Sequence, residues 1–150
     1  MDDFSMKPGV PNAYGLIGNA ANAIEPRKRM LSSMSPTIVE DANGELLLVV
    51  GSPGGSTIIT TTTQIIMNVI DFNMNIEDAV ESPRFHHQWL PDLIQLESFG
   101  FQTETLRELQ NRGHGIKHRT SMGEANCIQI MNDYLFGAAD SRRNSHAMGY

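Results

Sequence analysis

One cysteine, Cys127, stands in 150 residues. It excludes an internal disulfide and says nothing about redox compartment. Positive charge is scarce: 11 lysines and arginines face 17 acidic residues, a net charge of −6. No basic stripe is present, so the sequence carries no nucleic-acid footprint. No apolar run approaches the roughly 18 residues that a membrane-spanning helix needs. The opening Met1-Asp2-Asp3 is acidic where a secretory leader is basic, so no signal peptide is expected there. Internal repeats are lacking, though Thr60 to Thr63 is a short homopolymer. Nine methionines scatter without forming an amphipathic stripe. What remains is 40% hydrophobic and 19% charged, an ordinary globular composition. The length suits a single domain, residues 1–150, with a real core.

Residues 1–35 carry no periodicity. Pro8, Pro11 and Pro26 break them, Gly9, Gly15 and Gly18 lie among them, and Pro36 closes them. The segment is either an ordered excursion over a surface or an unstructured terminus. Regular structure is expected over residues 36–150. Thr37–Glu40 and Leu46–Val50 read as strands joined by the turn Asp41-Ala42-Asn43-Gly44. The second strand is apolar throughout, which predicts burial on both faces. In Thr57–Phe72 the β-branched residues favour strand. Yet Ile58, Thr62, Ile65, Ile66, Val69 and Ile70 recur at helical spacing, and the spacing predicts a helix. A helix capped by Asn75 is expected to run to Ser82, before Pro83. Another is expected over Thr103–Asn111, with Thr103 as cap, Leu106 and Leu109 inward, and Gly113 as terminator. Leu93–Glu97, Ile116–Arg119, Ala125–Met131 and Tyr134–Ala138 read as strands, with Asn132-Asp133 turning between the last two. The order implies a layered α/β or α+β domain.

Several residues could carry chemistry, each beside a plainer reading. Gly54 and Gly55 lie where a strand feeds a helix, where backbone N–H groups lack partners and attract a phosphate or a developing oxyanion. A tight turn with close packing explains them equally, and no Walker lysine follows. Ser32 and Ser33 are either turn and cap residues or donors to a carboxylate. Asp2 and Asp3 are either a solvated terminus or a site for an ammonium group. His86 and His87 would point to opposite faces of a strand, and no ligand set accompanies them, so no metal site is expected. Cys127 lies in an alternating strand and is expected to pack as a small hydrophobe.

Taken together, the motifs carry further. Met1-Asp2-Asp3-Phe4-Ser5, Lys7-Pro8-Gly9-Val10-Pro11-Asn12 and Met30-Leu31-Ser32-Ser33-Met34-Ser35-Pro36-Thr37 occur in order. They are followed by Gly51-Ser52-Pro53-Gly54-Gly55-Ser56, Ile70-Asp71-Phe72, Pro83-Arg84-Phe85-His86-His87-Gln88-Trp89-Leu90-Pro91 and the closing Gly149-Tyr150. This series resembles the γ-glutamyltranspeptidase, or glutathione hydrolase, family over nearly the whole chain. The resemblance implies part of the αββα sandwich of an N-terminal nucleophile hydrolase. In that family a precursor cuts itself into large and small subunits and frees a threonine nucleophile, whose α-amine acts as base. No cofactor is implied.

By the same resemblance, Asp3 grips the α-ammonium of a γ-glutamyl substrate such as glutathione. Ser32 and Ser33 bind its α-carboxylate, and Gly54 and Gly55 form the oxyanion hole. Residues Pro8 to Asn19 resemble a lid found in some members, with Tyr14 at its gate. The catalytic threonine lies upstream of Met1 in the family pattern, so the chain resembles the C-terminal part of a small subunit. Alone it is expected to be inactive, and to self-associate where upstream elements and the large subunit would pack. Residues 1–35 are expected to be its least ordered part. Met30 departs from a usual proline. Intact bacterial-type members are expected in the periplasm or outside the cell. The alternatives are an inactive remnant and a β-lactam acylase of the same superfamily.

Overall fold

A computed structural model of the chain describes residues 3–149; Met1, Asp2 and Tyr150, with the expectations that fall on them, lie outside the described residues. From Asp3 to Pro36 the backbone follows loops and turns, with one short 3-10 turn at Ala20–Asn22. Regular structure then begins with strands β1 (Thr37–Glu40) and β2 (Leu46–Gly51), paired antiparallel. Their connection is organised by Asp41, whose carboxylate accepts from the N–H groups of Asn43 and Glu45 at 2.8 and 2.9 Å. These bonds hold the exposed Asp41 carboxyl below its usual range.

The glycine turn leads into helix α1 (Ile58–Ile70), and helix α2 (Ile76–Glu81) follows. Helical spacing prevails over β-branched residue type in α1 because Ile58, Ile65 and Val69 share one buried face. The Asn75 side chain accepts from the Asp78 N–H and caps α2. Strands β6 (Asn126–Met131) and β7 (Tyr134–Ala139) complete a four-stranded antiparallel sheet in the order β1-β2-β6-β7. Asn132 and Asp133, both at positive φ, form their two-residue turn. Helices α1 and α2 cover one sheet face. There Leu48, Val50, Cys127 and Ala138 pack against Ile65, Val69, Ile76 and Val80 to form the core.

The other sheet face corrects an expectation. Strand β2 is not buried on both sides: Leu48 and Val50 are enclosed, whereas Val49 is half-buried. Val49 lies between Ile38 and Ile128 on that second face, which no helix covers among the described residues; Ala147 approaches it at Gly137, while Ile38 is 68% exposed and Leu135 72%. The run is apolar throughout, but only one side meets helices.

A smaller, three-stranded sheet is formed by β3 (Phe85–His86), β4 (Ile94–Glu97) and β5 (Ile116–Arg119) in the order β3-β4-β5. Helix α3 (Thr103–Asn111) makes the crossover between the parallel strands β4 and β5. Its cap position is Gln102 rather than Thr103, and no side chain bonds there. Leu106 and Leu109 are half-buried rather than enclosed. Gly113 ends the helix at positive φ, as expected. Strand β3 was not legible in sequence, because a side chain completes it. The Gln64 amide on α1 donates to the Phe85 carbonyl and accepts from the Phe85 N–H, standing in for a neighbouring strand.

Candidate active site

The loop region before β1 folds back on the turn between β2 and α1. Gly54 has φ +148° and Gly55 φ +60°, conformations that side chains strain against. Space adds a second constraint at Gly55: a Cβ there would stand 2.6 Å from the Tyr14 ring, which lies over this glycine. Among the described residues, neither the Gly54 N–H nor the Gly55 N–H donates to another group. The turn therefore offers free donors at the head of α1.

Ser33 joins this turn to the serine loop, its hydroxyl donating to the Gly55 carbonyl at 2.9 Å. The Ser32 hydroxyl accepts from the Met34 N–H at 3.2 Å, which leaves its own proton to donate. Asp3, Ser32 and Ser33 line one pocket of about 570 Å³, with Asn12 and Ile59 also in its wall. The sequence-predicted binding residues are thus brought together. Gly54 and Gly55 are not among that pocket's lining. Gly55 adjoins it through Ser33, Tyr14 lies over Gly55 outside that lining, and Gly54 faces a second cleft of about 280 Å³ beside Arg119 and Arg143.

Three residues that sequence reasoning passed over hold this arrangement. Buried Asn22 donates to the Asp3 carbonyl at 2.6 Å and accepts from the Leu31 N–H at 3.2 Å, so it ties the Asp3 segment to the serine loop. The Asn12 side chain accepts from the N–H groups of Tyr14 and Leu16, shaping the bend that carries Tyr14. Gln88 donates to the Tyr14 carbonyl at 3.2 Å and links the bend to the segment after β3.

Behind the glycine turn lies a buried ionic cluster. Arg84 pairs with Asp140 at 2.7 Å, and Arg142 pairs with Glu97 at 2.6 Å and Asp140 at 3.2 Å. Burial disfavours both carboxylates. The Arg142 hydrogen bond to Glu97, and the Ala125 N–H and Arg84 charge at Asp140, outweigh it and hold both carboxyls below their usual range. Burial also lowers the affinity of Arg84 for its proton, with Arg142 adding to the effect.

His86 is enclosed between Thr60 and Gln88, at 2.8 Å from each, and burial lowers its pKa. His87 turns outward to Asp92, so the neighbouring histidines do face opposite ways. The buried Cys127 thiol is pushed up to about 11 by burial and packs in the core. Among the described residues no three His, Cys, Asp or Glu side chains are grouped to hold a metal.

The γ-glutamyltranspeptidase family model matches residues 1–150. The chain is 52% identical over 143 residues to the glutathione hydrolase proenzyme of Escherichia coli K12, covering 95% of this chain and 24% of that protein. It spans about a quarter of the length of the curated relatives it first matches. Among solved structures, a mutant of Helicobacter pylori γ-glutamyltranspeptidase superimposes with a TM-score of 0.91 at 54% identity, covering 95% of this chain and 78% of that one. More distant is a cephalosporin acylase from Bacillus halodurans, with a TM-score of 0.73 at 26% identity, covering 86% of this chain and 25% of that one.

Proposed function

The chain belongs to the γ-glutamyltranspeptidase family, and from that premise we propose that it carries the donor-binding pocket and oxyanion hole of an enzyme that transfers or hydrolyses γ-glutamyl groups. Its mixed helices and strands are part of the N-terminal nucleophile hydrolase fold. One observation carries the reading: Asp3, Ser32 and Ser33 share a pocket, and Ser33 bonds directly to the glycine turn. A carboxylate and two hydroxyls suit a zwitterionic amino-acid head, with Asp3 toward the ammonium, Ser32 donating to the carboxylate, and Ser33 turning its one proton from the Gly55 carbonyl to the carboxylate when the donor binds. The amides of Gly54 and Gly55 then serve the γ-carbonyl at the other end of the glutamyl chain.

The Ser33 hydroxyl donates to a backbone carbonyl and, among the described residues, to no base, so it is not set up as an activated nucleophile. The reaction needs the threonine that the family frees outside these residues. Its hydroxyl adds to the γ-carbonyl while its α-amine takes the proton. The oxygen that gains the charge lies against the Gly54 and Gly55 N–H groups, and loss of one such donor costs about 3 kcal/mol in the transition state. Collapse expels the amine, which carries the proton away, and leaves a glutamyl ester. Water or an acceptor amine resolves that ester. Tyr14, over Gly55, is the lid residue that limits entry of water and acceptor. The large subunit and the upstream segment of the small subunit are the partners this reading requires.

The likeness to a cephalosporin acylase favours one rival substrate class, an acylated cephalosporin, for which a glutaryl side chain is the probe we choose. The two separate on the head group, because a glutaryl chain has no α-ammonium for Asp3. Assay of the protein expressed from its full coding sequence on γ-glutamyl-anilide and on glutaryl-cephalosporin decides between them. Turnover of the γ-glutamyl substrate alone is the expected result. Preference for the glutaryl substrate would move the chain to the acylases.

A further inference from the structure

We propose that the hydroxyls of Ser52 and Thr57 are positioning groups that set the direction of the two oxyanion-hole N–H bonds. Each does so through the carbonyl of the peptide that carries the N–H. The inference rests on the reading of Gly54 and Gly55 given above.

The peptide unit is planar, so the C=O of one residue fixes the plane of the N–H of the next. The Gly54 N–H shares its plane with the Pro53 carbonyl, and the Ser52 hydroxyl donates to that carbonyl at 2.7 Å. The Gly55 N–H shares its plane with the Gly54 carbonyl. That oxygen accepts from the Thr57 hydroxyl at 3.0 Å and from the Thr57 N–H at 3.2 Å. Such anchors matter here because both glycines occupy conformations in which the backbone is otherwise free to rotate a peptide plane.

Each hydroxyl is itself held. Thr57 is buried, with 2% of its surface exposed. Ser52 accepts from the Glu124 N–H at 3.0 Å while it donates to Pro53, so its oxygen is a relay between two backbone groups. The turn that supplies Glu124 is pinned on both sides by the ionic cluster. The Met122 N–H donates to Glu97 at 2.9 Å, the Met122 carbonyl accepts from Arg84 at 2.6 Å, and the Ala125 N–H donates to Asp140 at 2.8 Å. Gly123 lets this turn approach, since a Cβ there would stand 2.7 Å from the Ser52 hydroxyl oxygen. A rigid buried cluster thus reaches the glycine turn through one serine.

The test uses the protein expressed from its full coding sequence and assayed on a γ-glutamyl-anilide, with hydrogen exchange followed by mass spectrometry. Ser52→Ala and Thr57→Val are each expected to lower kcat about tenfold, with KM within about twofold. Exchange should rise in peptides over residues 52–58 and stay unchanged over residues 126–131. Thr57→Ser keeps the hydroxyl and loses the methyl, and it should restore most of kcat. Equal loss in Thr57→Val and Thr57→Ser would reduce Thr57 to packing and overturn the proposal. So would Ser52→Ala at the parent kcat, or exchange that rises across the whole core. A tetrahedral γ-phosphonate analogue of the substrate separates the two ideas: no added exchange protection over residues 52–58 when it binds the parent protein sinks the oxyanion reading itself, whereas protection there beside a Ser52→Ala variant at the parent kcat sinks the positioning role alone.

Discussion

Ser33 lines the pocket, and its one proton, held here by the Gly55 carbonyl, is free to turn to a substrate carboxylate on binding. Ser33→Ala should therefore raise KM for a γ-glutamyl-anilide and lower kcat/KM by about tenfold to a hundredfold, the span expected for one hydrogen bond to a charged group. Steady-state kinetics of the full-length protein measure this, and unaltered constants would remove Ser33 from substrate binding. At this scale the sequence was only half legible. Composition and spacing left Asp3, Ser32, Ser33, Gly54 and Gly55 open between turn and site; the family resemblance chose the site. Asn22 and Gln88 escaped both approaches. Each acts through a contact distant in sequence, 19 residues from Asn22 to Asp3 and 74 from Gln88 to Tyr14, and no local pattern marks such a partner.

Among the elements, the four charges of Arg84, Glu97, Asp140 and Arg142 bind α2, β4 and the segment after β7 into one unit. Arg142 also donates to the carbonyls of Val80 and Ser82 at the end of α2. Arg142→Ala leaves two buried carboxylates with less countercharge and is expected to cost about 3–5 kcal/mol, read by chemical denaturation. The same cluster sets an acid limit. Glu97 and Asp140 titrate lower folded than unfolded, so their stabilisation is full above the ordinary values of 4.5 and 3.8. It is lost as pH falls through their folded values. Denaturation midpoints that stay level from pH 6 to pH 3 would contradict this. Elements with a repeating pattern were readable: α1 by its spacing, the β6–β7 turn by Asn132-Asp133. Strand β3 and the α3 cap were not. The first depends on Gln64, 21 residues away, and the second forms without any side-chain bond.

Considered whole, the molecule has an apolar sheet face on which no helix lies among the described residues; Ala147 approaches it only at Gly137. Ile38, Val49, Ile128 and Leu135 lie on that side. Exposed apolar area of this kind drives association. The 150-residue chain alone is expected to form dimers or larger species by light scattering, and Ile38→Lys with Leu135→Lys should shift it toward monomer. A compact monomer at high concentration would refute the expectation. The face also explains why apolar pattern misled at β2: hydrophobicity records what a strand is built to meet, whether or not that partner belongs to the same stretch of chain.

The enclosed sulfur of Cys127 has a practical consequence. With its ionisation pushed up to about 11 and its side chain in the core, it is a poor target for thiol reagents at neutral pH. The chain is in effect a blank background for site-directed labelling. A single thiol placed by Tyr14→Cys at the exposed position over Gly55 would take a fluorophore alone, and movement of the segment proposed as a lid could then be timed optically rather than inferred from turnover.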